Sequence, residues 1–148
     1  MSDDTPARFD AATLQPWLPP RIRQLVAMLE ATPTIETVQR FEEGLAVELA
    51  ATDVMCVWID ASSRTAWSVG GPLAERLQNI VPEIAEHGRR LVVGSAIVEP
   101  IGPAPSRAAL IVKGSSLDVL QPAAVRMISR VAARIGPVLD HVWPAMAA

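Results

Sequence analysis

Apolar residues along this chain change their period several times, and each change marks a new element. Ile22, Leu25, Val26 and Leu29 recur at the i, i+3, i+4, i+7 spacing of a helical stripe, which predicts a short first helix after Pro20. Thr32-Pro33 then offers a cap followed by proline at a first helical position, where its missing N–H removes no intrahelical bond. The second helix has its stripe on Ile35, Val38, Phe41, Leu45 and Leu49 and ends near Ala51. Glu42, Glu43 and Glu48 fall beside that stripe and are expected in solvent, while Gly44 weakens the middle.

From Val54 to Ile59 the chain is apolar at odd and even positions alike, between Asp53 and Asp60, as in a strand covered on both faces. A polar turn, Ala61 to Arg64, leads to an alternating segment that stops at Gly70-Gly71, which predicts a hairpin. The expected register sets Ile59 against Ala66, Trp58 against Trp67 and Cys56 against Val69. Pro72 then opens a third helix with Leu73, Leu77, Ile80 and Ile84 on its stripe, a kink at Pro82 and a stop at Gly88. Leu91 to Val93 and Ala96 to Val98 read as two short strands separated by a bulge or tight turn at Gly94, with Pro100 closing the second. Gly102 to Ser106 is a turn by composition, and Ala108 to Val112 returns as a buried strand ending at Gly114-Ser115-Ser116. A long closing helix aligns Leu120, Ala124, Met127, Val131, Ile135, Val138 and Val142 in one seam, with Arg126, Arg130 and Arg134 on another face. Pro137 is expected to bend it near Gly136, at a cost of about 3 kcal/mol, and Trp143-Pro144 to end it.

The succession Ser95 to Ile101, a Gly/Pro turn, Ala108 to Val112 and a long amphipathic helix resembles the C-terminal half of a GAF domain. The order of elements from Thr34 to Val142 extends the likeness over most of the chain. The resemblance implies an α+β fold, with an antiparallel sheet of about five to six strands between helical layers. It also implies a sensory or regulatory module of signal transduction, acting as a homodimer and binding a small molecule beside the sheet. Only Glu86 to Ser95 spans the region where such domains carry the helix and loop that roof the pocket, which implies a shallow or absent cavity. Ligand signatures of the family are missing. The single lysine, Lys113, follows valine rather than the asparagine of the cyclic-nucleotide pattern. The single cysteine, Cys56, cannot form the internal disulfide that methionine sulfoxide reduction requires. Its position in a central strand also does not suit covalent bilin attachment.

Composition narrows the function classes further. At 148 residues the chain suits one domain, residues 21–148, preceded by a proline-containing segment, residues 1–20, expected to be partly flexible. With 13 basic against 16 acidic residues, the net charge of -3 supplies no broad cationic field, so nucleic acid is not an expected partner. No window approaches the roughly 20 apolar residues of a membrane span. The acidic start, Met1 to Pro6, lacks a secretory pattern, and a cytoplasmic location is expected.

Candidate chemistry is sparse. Cys56 reads as a small core residue, and His87 as a cation at the carbonyl end of a helix. No zinc-ligand spacing, phosphate loop or nucleophile elbow occurs, so neither enzyme activity nor a cofactor is expected. Glu99, between Val98 and Pro100, is expected to point outward at an edge. Trp58 and Trp67 are candidate walls of a ligand pocket or ordinary core residues, and Arg89-Arg90 a candidate anion contact or a solvated pair. Met127, Val131, Ile135 and Val138 are the expected dimer interface. The rival expectation is a ligand-free adaptor whose pocket is filled by Trp58 and Trp67 and whose partner is another signalling protein.

Overall fold

The structure is a computed structural model that describes residues 18–114 and 121–147. Expectations for residues 1–17, for Ser115 and Ser116, and for Leu120 in the seam fall outside the described residues. Helix α1, Pro20–Ala31, starts on its proline and buries Ile22, Val26 and Leu29. Helix α2, Ile35–Glu48, is capped by Thr34 rather than Thr32. The Thr34 backbone is extended there, so its hydroxyl accepts from the Thr37 N–H at 3.2 Å while the Thr34 N–H donates to Thr37 Oγ1 at 2.9 Å. A threonine thus takes the place that glutamate usually fills in a capping box, and Pro33 precedes the cap. Gly44 lies where the two helices meet: a Cβ there would stand 2.5 Å from Leu25 Cδ2.

Six strands follow: β1 Asp53–Ile59, β2 Ala66–Ser68, β3 Gly71–Pro72, β4 Leu91–Val93, β5 Ala96–Ile101 and β6 Ala108–Lys113. They form one antiparallel sheet in the order β3-β2-β1-β6-β5-β4. Trp58 lies opposite Trp67 and Ile59 opposite Ala66, as the alternation predicts. The paired register stops there, so Cys56 has no ladder partner in β2.

Both faces of the central strands are covered. Val54, Cys56, Trp58, Leu110 and Val112 join a core with α1, α2 and the closing helix α5, Pro122–Ala147. Val57, Ala109, Ile111 and Val98 join a smaller core with Leu73, Val81 and Ile84. On that second face the expected third helix is split into α3, Glu75–Gln78, and α4, Val81–His87. Pro72 belongs to β3 and opens no helix. Pro82 breaks rather than kinks the run because it sits in the first turn of α4, where no N–H is needed. Gly88 ends α4 in the left-handed conformation at φ 69°.

The closing helix does not stop at Trp143-Pro144. It runs through Pro137 and Pro144 to Ala147. Each proline deprives the carbonyl four residues earlier of its donor, and these carbonyls belong to Ala133 and Asp140, both exposed, where water can serve them. The opposite side of the helix buries seven residues, from Ile128 to Val142, so packing outweighs the local cost.

Two glycines in left-handed geometry make a paired test. A Cβ on Gly94, φ +60°, would meet nothing within 4 Å, whereas one on Gly88 would stand 2.9 Å from the Ala104 Cβ. Gly94→Ala is expected to lower stability by about 1 kcal/mol, and Gly88→Ala by clearly more. Urea midpoints of the two variants measure this, and equal losses would contradict the close approach at Gly88.

Candidate functional site

A hollow lies on the thinly covered face of the sheet. Its floor is Met55, Val98 and Ile111, its roof Leu77 and Ile80, and the turn at Gly94-Ser95 bounds one side, enclosing about 510 Å³. Asp53, Arg76 and Lys113 stand at its rim. Asp53 and Lys113 are opposite each other across β1 and β6 and therefore share this face. A hollow is thus present despite the short Glu86 to Ser95 bridge, because α3 and Ile80, just before α4, supply the roof in its place. Helix α3 buries none of its own residues. The Gln78 amide ties it to the sheet, accepting from the Ala66 N–H at 2.8 Å and donating to the Ala66 carbonyl at 2.7 Å.

Trp58 and Trp67 are not part of this hollow. They lie on the other face, toward α5, where Trp58 is buried and its indole N–H donates to the Leu139 carbonyl at 2.8 Å. Trp67 buries its indole nitrogen with no partner among the described residues. A pocket filled by these two side chains is therefore not what the fold contains. Trp58 instead borders a separate recess of about 450 Å³ with Arg107, Asp140 and Trp143.

Arg89 and Arg90 lie beside a third recess, about 720 Å³, between α4 and β4. They play different parts. The Arg90 guanidinium donates to Glu99, which corrects the outward placement expected for that acid. Glu99 lies opposite Leu110 on the face covered by α5 and is buried there, with Arg90 balancing its charge. Arg89 makes no ion pair or side-chain hydrogen bond among the described residues and is exposed.

The expected dimer seam is used within the chain. Val131 and Ile135 have no exposed surface, Val138 is buried and Met127 is half-buried, all in the core formed with the sheet and α1. Val131 and Ile135 therefore present no surface to a second copy while α5 stays on its sheet.

Sequence reasoning missed Glu42. It was expected in solvent, yet its carboxylate reaches the edge of β1 and accepts from the Cys56 N–H at 2.7 Å. That N–H is free because β2 pairs with β1 only at Trp58 and Ile59. The one available signal is spacing: Glu42 follows Val38 by four and precedes Leu45 by three, on the flank of the buried stripe. Burial pushes its carboxyl up to about 7, with the Cys56 N–H opposing and the charges of Asp53 and Glu43 adding. Burial likewise pushes the Cys56 thiol well up, which keeps it protonated and inert, in keeping with a core role. Among the described residues no group of three or more His, Cys, Asp or Glu could hold a metal. Among them, too, no helix is long and apolar enough to cross a membrane.

No protein-family model matches the sequence, and no curated protein matches it. In structure the chain is similar to the native GAF domain of the potassium sensor histidine kinase KdpD from Escherichia coli. The TM-score is 0.66 at 12% identity, over 86% of this chain and 96% of that one. The fold is GAF-like: a six-stranded antiparallel sheet with helices on both sides.

Glu42 gives the structure a pH dependence of defined sign. Between the unfolded value of 4.5 and a folded value of about 7, the native protein holds a proton that the unfolded chain has released. The contribution is full below 4.5 and is lost as pH rises through 7, with an amplitude on the order of 3 kcal/mol. Glu42→Gln keeps an acceptor for Cys56 and should flatten this component. The difference in urea midpoint between wild type and variant, followed from pH 5 to pH 8, measures it; a pH-independent difference would contradict the burial of this carboxyl.

Proposed function

We propose that the chain is a sensory or regulatory module of signal transduction. It holds a small, largely apolar molecule with a charged end in the hollow beneath α3, and has no catalytic activity of its own. The single observation that carries this reading is the hollow itself. Its floor is apolar side chains of three strands, its rim carries Arg76, Lys113 and Asp53, and its roof includes a four-residue helix with no buried residue. A largely apolar cleft with a few convergent charges is the usual form of a small-molecule site. A roof anchored mainly through one glutamine amide belongs to the low-stability end of a fold, where ligand-responsive elements are found. The GAF-like fold, shared with a domain of a sensor kinase, supports the same reading. In this proposal the ligand orders α3, and α4 with the β4–β5 hairpin carries the change to the surface.

Native mass spectrometry of protein purified from its source tests the proposal. Wild type should retain a small molecule, and Ala96→Trp, which fills the hollow from β5, should not. An empty wild type, or equal retention by both proteins, would remove the reading.

A further inference from the structure

The two edges of the sheet are unlike. The β3 edge is two residues long and carries Pro72, which has no N–H to offer another strand. The β4 edge has no such block. Two of the three large hydrophobic residues exposed among the described residues, Leu91 at 42% and Val92 at 50%, are adjacent on it, one on each face of the strand.

Hydrogen-bond parity shows which β4 groups are free. The Gly114 N–H donates to the Ser95 carbonyl, so Ser95, Ile97 and Glu99 direct their backbone groups toward β6. Ala96 and Val98 therefore direct theirs toward their partners Val93 and Leu91. The N–H and carbonyl of Val92, between those two, point away from the sheet. Beside this open edge runs the recess between α4 and β4, lined by Ile80, Ile84 and Leu91 with one acid, Glu83, and by Arg89, which lies two residues before Leu91 and by alternation on its side of the chain.

From this we infer that the β4 edge is a docking site for an extended segment of another protein. The segment adds as an antiparallel strand, with two adjacent apolar residues opposite Val92 and Leu91 and a carboxylate opposite Arg89. This inference goes beyond the ligand hollow and does not depend on it. Charge complementarity selects the occupant. Arg90 is already balanced by Glu99, whereas Arg89 is exposed beside an edge that supplies no acid of its own strand. A second copy fits less well. If β4 paired with its own copy about Val92, Arg89 would face Ser95 and Arg90 would face Gly94, so no carboxylate would meet Arg89. A three-residue strand with its flanking recess is also small against the roughly 1,200 Å² that stable protein pairs bury, while strand addition gains affinity from main-chain bonds.

The test is an amide NMR titration of the full chain with blocked threonine-rich peptides containing, in order, two adjacent valines, a threonine and a glutamate. Shifts should centre on residues 89–92, and the Val92 amide should become protected from solvent exchange. Replacing the glutamate by lysine should weaken binding roughly fivefold, and Arg89→Glu should reverse that preference. Val92→Pro removes the outward N–H and the exposed valine side chain but no bond to β5, so the remaining amide spectrum should stay native while binding is lost. No shifts at 89–92, equal affinity for the two peptides, or binding that survives Val92→Pro would each overturn the inference. So would self-association that disappears in Val92→Pro, which would make a second copy the occupant.

Discussion

Everything in this fold depends on removing both faces of β1 and β6 from water. These two strands occupy the middle of the sheet, and their side chains are apolar in both directions: Val54, Cys56 and Trp58 one way, Val57, Ala109 and Ile111 the other. A strand pair of that kind has no solvated face to present, so helices must cover each side. The two covers differ in weight. One is built from three helices of 12, 14 and 26 residues, the other from helices of four and seven.

The heavy side accounts for features that local rules argue against. Two prolines inside α5 are tolerated because the carbonyls they strand belong to exposed residues while the opposite stripe is buried. Glu99 can lie under that helix because Arg90, just before the neighbouring strand, extends to meet it; a lone carboxylate there would be costly. The Trp58 indole finds its acceptor in the α5 backbone, fixing the helix against the strand at a point where an aromatic ring is desolvated. Such satisfied polar contacts specify how the layers meet, while apolar burial supplies most of the driving force.

The light side is where the cover over the sheet is incomplete. Two short helices cannot cover the sheet as fully as long ones, and the shortfall forms the hollow beneath α3 and the recess along α4. The β4–β5 hairpin borders both, through Val93 to Ala96 in the first and Leu91 in the second. A small molecule and a strand-forming partner would thus meet at the same hairpin. That arrangement suits a module whose output is contact with another protein, since a change in the roof is one strand away from the exposed edge.

Much of this was legible in the order of the residues. The two-sided burial of Val54 to Ile59, the Trp58–Trp67 register, the turn at Gly94 and the stop at Gly88 follow from short-range periodicity and backbone sterics, which a sequence carries locally. What tertiary structure decided were the outcomes of competition between distant segments. Glu42 left solvent because β2 departs from β1 after two pairs, leaving an N–H that only a side chain from α2 could reach. The α5 stripe, equally suited by its spacing to a second copy, was claimed by its own sheet; periodicity states that a face will be buried but not against what. Trp58 and Trp67 were rightly paired, yet which side of the sheet held the hollow depended on the unequal thickness of the two helical layers, a property of the whole chain that no window of it contains.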